Sequence, residues 1–256
     1  MILLKSKEEI EQMKIPAKVT GSILYELREI IKPGISTKDI DRFVENRIRE
    51  AGMIASFLDY NGYPASCCTS VNEEIVHGIP DAERILKDGD IVSVDIGTTG
   101  GGWVSDAART YPVGTITDQA QNLIDVCKRC FFEALEVCRE GYRLSDIGNA
   151  VQTYAEAKGF SVVRDFVGHG IGHDMHEDPQ VKNYGAPGKG PKLMAGMALA
   201  IEPMINEGTF EMEVLLNNWT AVTTDGKLSA HYENTVVITD GQPEVITLDE
   251  RERTGV

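Results

Sequence analysis

The apolar positions of the chain fall into two patterns, each of which occurs twice. In KPGISTKDIDRFVENRIREAG, from Lys32, apolar side chains recur at helical spacing behind a Gly-containing turn and Ser, Thr and Asp cap candidates, and Gly52 suits the helix end. The stretch REGYRLSDIGNAVQTYAEAKG, from Arg139, has the same layout and closes on Gly159. The glycine-bounded runs IVSVDIG and MALAIEPMI have the length and composition of buried strands, and WVSDAARTYPVG and HYENTVVIT supply further ones.

A shift of 107 residues superposes these patterns. Gly34, Asp39, Ile40, Val44 and Gly52 meet Gly141, Asp146, Ile147, Val151 and Gly159. Without a gap, LKDGDIVSVD (86–95) falls on LMAGMALAIE (193–202), which puts Asp95 over Glu202. Each half then reads as helix, turn, amphipathic helix and strands. The expected fold is α+β, duplicated about a pseudo-twofold axis, with halves of about 1–115 and 116–250 sharing one core in a single unit over 1–256. No Pro/Gly/Ser-rich linker separates them.

Composition narrows the function. The 256 residues are 42% hydrophobic and 25% charged, with no low-complexity tract, as in a folded domain. A net charge of −15 repels phosphate backbones, so no nucleic-acid partner is expected. The start MILLKSKEEIEQMKIP carries too short an apolar run for a signal or membrane segment, and a cytoplasmic address follows. The five cysteines are then expected as thiols, with the lone CxxC of Cys127 and Cys130 one turn apart on a helix and no partner pair to complete a zinc site.

Chemistry concentrates in acids on strands. Asp95 alternates with apolar neighbours in IVSVDIG, as Glu202 does in MALAIEP, and a buried carboxylate needs a partner or a cation. The TTGGG segment lets a hairpin bring Asp106 back to Asp95, and Glu233 precedes the apolar run TVVIT. Four such acids cannot stay ionised together without positive charge, which a pair of divalent metals supplies. His169, between Gly168 and Gly170, adds a nitrogen, so the donor set favours cobalt, manganese, iron, zinc or nickel over calcium or magnesium.

Taken together, VDIG, SDAART, GHGIGHDMHEDP, AIEPM and HYENT resemble the type I methionine aminopeptidases, a peptidase family with the pita-bread fold, over nearly the whole chain. The resemblance implies a monomeric enzyme that removes the initiator methionine from nascent polypeptides with a small second residue, in transient contact with the ribosome. It implies that Asp95 binds one metal, His169 and Glu202 the other, and that Asp106 and Glu233 bridge both. A water or hydroxide between the ions would attack the carbonyl, with Glu202 as proton shuttle. His77 would contact the scissile nitrogen and His176 the carbonyl oxygen. His173 has no counterpart and is expected to be peripheral.

Tyr60, Tyr63, Cys68 and Trp219 match the methionine pocket of the family, with Phe57 and Met175 as further wall residues. The carbonyls of Asn72, Glu74 and Ser229 match a sodium or potassium site, an inference that carbonyls leave unmarked in sequence. His231 stands where the family pattern carries glutamine, and TTGGGW replaces a bulkier hairpin. Two alternatives stay open: a proline-specific peptidase, which would need an extra N-terminal domain, and an inactive pita-bread binding protein, which would be expected to lose ligands. Because His169 has no match in the first half, the two metals are expected to be unequal, with the one at Asp95 the easier to lose.

Overall fold

The computed structural model describes residues 1–253. The first half carries helices α1 (Lys7–Ile30) and α2 (Thr37–Glu50) and strands β1 (Ile54–Ala55), β2 (Cys68–Val71), β3 (Glu74–Val76), β4 (Ile91–Gly100) and β5 (Trp103–Pro112). The second carries α3 (Asp118–Leu135) and α4 (Leu144–Ala157), then β6 (Ser161–Val162), β7 (Gly168–Gly170), β8 (Glu177–Val181), β9 (Ala198–Ile201) and β10 (Met204–Asn206). It ends with β11 (Met212–Val214), β12 (Ala221–Thr223), β13 (Ser229–His231), β14 (Asn234–Val237), β15 (Glu244–Val245) and the turn α5 (Glu250–Arg253). All strand pairings among the described residues are antiparallel.

Local chemistry sets the helix starts. Ser6 caps α1 and Ser36 caps α2, each in a reciprocal box with the acid three residues on, Glu9 or Asp39. In α4 the cap position is Arg143, whose side chain gives no cap bond; the Asp146 carboxylate still accepts from the Arg143 amide. The buried face of α2, Ile40, Val44 and Ile48, recurs in α4 as Ile147, Val151 and Ala155, the same positions 107 residues on. These faces pack on β1 and β2 in the first half and on β6 and β8 in the second, and they join the apolar clusters that hold side chains of β4 and β9. Val92, Val94 and Ile96 pack under the first helix pair, and Leu199 and Ile201 under the second. Because side chains alternate along a strand, Asp95 and the backbone leading to Glu202 point to the opposite face.

The repeat extends to individual hydrogen bonds. Leu86 donates to Ile35 and Leu193 to Tyr142; Thr37 donates to Arg84 and Leu144 to Pro191. Isolated bridges join Ser36 to Ile85 and Arg143 to Lys192. The halves meet where the Ala108 amide donates to the Glu233 carbonyl at 3.3 Å and the Glu233 amide returns a bond to the Ala108 carbonyl at 3.0 Å. Buried Arg109 fastens this seam, donating to the Glu233 carbonyl and Asn234 Oδ1 and pairing with Glu252 of α5.

Candidate active site

The pairing register gathers the acids. In the β4–β5 hairpin Asp95 faces Ala108 and Gly97 faces Asp106, so both carboxylates emerge on the face away from the helices. β7 lies beside β9 with His169 opposite Ala200, which sets the imidazole next to Glu202. The seam then carries Glu233 to Asp106. Gly168 and Gly170 are required here by close backbone approach. A Cβ at Gly168 would stand 2.3 Å from the Ala200 carbonyl oxygen, and one at Gly170 would stand 2.1 Å from that of Asp178.

Atoms of Asp106, His169 and Glu233 converge within 4.8 Å, as do those of Asp95, His231 and Glu233, so Glu233 belongs to both groups. His169 Nε2 lies 3.8 Å from Asp106 Oδ2 and 3.7 Å from Glu202 Oε1. Its Nδ1 lies 2.9 Å from the Gly170 carbonyl oxygen, which fixes the tautomer that leaves Nε2 free to ligate. Burial holds His169 neutral, with its pKa lowered to about 4, and His231 likewise, at about 3. Burial raises the Asp95 carboxyl to about 7. It drives Asp106, Glu202 and Glu233 well above the usual range, with their neighbouring carboxylates adding repulsion. Asp95 Oδ1, Asp106 Oδ1, Glu233 Oε1 and His231 Nε2 are buried without hydrogen-bond partners. Orphaned acceptors aimed at one another are costly unless a cation joins them, so this oxygen and nitrogen set fits divalent ions.

Beside the cluster opens a cavity of about 250 Å³. Phe57, Tyr60, Tyr63, Cys68, Phe166 and Trp219 form much of its wall, and the carboxylates form its floor. Cys68 is there because β2 pairs with β4 so that it faces Asp95. His77 has a left-handed backbone, with φ of 60°, and its ring stands edge-on to Phe166 at 5.1 Å. Burial keeps it neutral as well, near 4. The Tyr60 hydroxyl meets His176 Nδ1 at 2.7 Å, leaving Nε2 for a second partner.

Residues 11–240 match the model of metallopeptidase family M24. A methionine aminopeptidase of Clostridium acetobutylicum is 52% identical over 98% of this chain and 100% of its own length. Methionine aminopeptidase 1 of Bacillus subtilis is 49% identical over 96% and 99%. Among solved structures, the methionine aminopeptidase of Thermotoga maritima superposes with a TM-score of 0.95 at 43% identity, covering 96% of this chain and 99% of that one. The chain belongs to metallopeptidase family M24, among its methionine aminopeptidases. A prolidase of Pyrococcus furiosus, at 21% identity and a TM-score of 0.76, shares the fold; the match covers 97% of this chain and 66% of the prolidase.

Within this aminopeptidase fold, Asp95, Asp106, His169, Glu202 and Glu233 come together, and His77, His176, Phe57, Tyr60, Tyr63, Cys68 and Trp219 line the same cavity. Met175 stands behind the wall: a Cβ on Gly97 would meet Met175 Cε at 2.6 Å and Phe57 Cε1 at 2.8 Å. His173 lies outside, stacked on Trp103 at 3.7 Å. The Ser229 amide donates to the Asn72 carbonyl at 2.9 Å, while the Glu74 carboxylate turns to the Val71 amide. Cys127 and Cys130 sit on α3 with separate carbonyl partners, Cys127 with Pro203 and Ala230, Cys130 with Val151. Phe166, Val76 and Val167 also line the cavity, and their only signal in the sequence is their place beside His77 and the GHG strand. His231, a departure from the family pattern, lines the cavity as well, beside Asp95 and Glu233.

Proposed function

We propose that the chain removes methionine from the N-terminus of polypeptides with a small second residue, using Asp95, Asp106, His169, Glu202 and Glu233 to hold two divalent ions. The observation that carries this reading is a pocket with apolar walls that ends at the carboxylate cluster. An unbranched thioether suits aromatic walls and a thiol, since it packs without needing hydrogen bonds. A side chain seated there leaves the peptide bond that follows it beside the acids. Glu233, common to both groups of convergent donors, would bridge the ions together with Asp106. Cobalt, manganese, iron, zinc and nickel all suit such donors, and a sodium or potassium ion at the Asn72, Glu74 and Ser229 carbonyls belongs to the same proposal.

When bound, the ions offset the charge of the carboxylates, polarise the substrate carbonyl and bring the pKa of a water towards neutrality. The remaining work falls to side chains. Glu202, at the cavity edge, accepts the proton of the attacking water and passes it to the leaving amine. His77, held by its backbone and by Phe166, faces the scissile nitrogen. His176, held through Nδ1 by Tyr60, presents Nε2 to the carbonyl oxygen as charge grows there. A monomer in the cytoplasm, meeting nascent chains in transient contact with the ribosome and binding no nucleic acid, fits this substrate. Among the described residues no helix is long and apolar enough to cross a membrane.

The test is to assay the metal-loaded protein on Met-Ala-Ser and on X-Pro peptides. Release of methionine from the first alone is expected; cleavage of only the second would sink the methionine assignment.

A further inference from the structure

His231 stands in a position that the 107-residue repeat does not reveal. Across the seam Ala108 meets Glu233, and two residues before each stand Asp106 and His231. The same device holds both. The Thr235 hydroxyl accepts the Asp106 amide at 3.1 Å and donates to the Asp106 carbonyl at 2.9 Å. The Thr110 hydroxyl accepts the His231 amide at 2.9 Å and donates to the His231 carbonyl at 2.9 Å. His231 is thus the pseudo-symmetric counterpart of Asp106, a carboxylate at the heart of the cluster.

Its ring is 98% buried, and Nε2 has no hydrogen-bond partner. That nitrogen lies 3.5 Å from Glu233 Oε2 and 4.0 Å from Glu202 Oε2. It also falls in the group with Asp95 and Glu233 whose donor atoms all lie within 4.8 Å of one another. These separations are long for hydrogen bonds, which close to about 3.2 Å or less. They suit donors that share an ion: two atoms each about 2.1 Å from one metal stand about 3.0 Å apart at a right angle and about 4.2 Å apart on a straight line.

We infer that His231 is a sixth protein ligand, its Nε2 giving the ion at Asp95 a nitrogen donor to match the one His169 gives the other ion. This rests on the dinuclear reading above. It replaces the expectation of a weaker, all-oxygen site at Asp95, since each ion then has one imidazole and shares Glu233.

The test loads metal-free protein with Co²⁺ and counts, by paramagnetic proton NMR, the hyperfine-shifted exchangeable ring N–H signals, one for each ligating imidazole. Two are expected in the unaltered protein. Calorimetric Co²⁺ titration of His231→Gln, whose amide keeps a hydrogen-bond donor, is expected to show one site weakened by about 100-fold, the upper end of what losing even an outer partner of a ligand costs. The other site keeps its affinity, and one signal is lost. Should His231→Gln fail to melt cooperatively, the signal count of the unaltered protein decides alone. Two bound ions with a single imidazole signal, or unchanged affinities in His231→Gln, overturn the sixth ligand and leave the dinuclear reading standing. Absence of Co²⁺ binding by the unaltered protein overturns both.

Discussion

Ala108 and Glu233 each donate a backbone hydrogen bond to the other's carbonyl, at 3.3 and 3.0 Å, and so fix the height at which one half of the site meets the other. Asp106 and His231 flank this pair under the hydroxyls of Thr235 and Thr110. Thr235→Val keeps shape but removes both hydroxyl bonds to the Asp106 backbone, leaving its buried amide unsatisfied. The expected loss is about 1–3 kcal/mol of stability, read by urea unfolding, with a lower kcat for peptide cleavage.

Removing a carboxylate proposed to bridge the ions should be far more severe for activity. Asp106→Ala or Glu233→Ala is expected to abolish methionine release, because each would take away an acid proposed to hold both ions. Full activity in either variant would refute the assignment.

His77→Ala separates binding of metal from charge stabilisation. His77 lines the cavity but lies in neither group of convergent donor atoms. Metal content by elemental analysis should therefore be unchanged while kcat/KM falls by about 10²- to 10³-fold.

The clustered charges also fix a pH dependence for metal-free protein. Between about pH 4 and 7.5, burial acts in opposite senses. The histidines, lowered to about 4 at His77 and His169 and about 3 at His231, favour folding as pH rises; the raised carboxyls oppose it. The unfolded histidines, with an ordinary pKa near 6.5, are neutral in both states only above about pH 7.5. Asp106, Glu202 and Glu233, driven well above their usual range, then bind more protons folded than unfolded. Stability must therefore fall as pH rises. Thermal melts in a chelator should show Tm decreasing from pH 7.5 to 8.5, and divalent metal should reverse the slope. A Tm that rises over this window without metal would contradict the electrostatic reading.

Lys5 and Glu177 form a buried ion pair, and Glu177 Oε1 also accepts the His173 amide at 2.9 Å, in the loop that leads to His176. Lys5→Met strands the carboxylate in a dry site. A loss of about 3–5 kcal/mol is expected in urea unfolding, with weaker peptide cleavage as the His176 loop shifts.

How much of this was legible in the chain depended on loop lengths. Asp95 and Glu202 were paired by sequence because helix, turn and strand run without insertion from Gly34 to Asp95 and from Gly141 to Glu202. Asp106 and His231 are 125 positions apart, not 107, because a two-residue turn joins β4 to β5 whereas β10 to β13 intervene between β9 and β14. A single shift could not carry the comparison across that insertion, and His231 stayed invisible as a partner. The bond from Tyr60 to His176 and the edge of Phe166 against His77 depend on loops that close from 116 and 89 residues away. No periodicity records such contacts.

The most direct measurement follows methionine release from Met-Ala-Ser by metal-free protein before and after Co²⁺ is added. No release before and rapid turnover after is the expected result, with loss again on chelation. Release that ignores the chelator, or none with the site fully loaded, would contradict a metal-dependent methionine aminopeptidase.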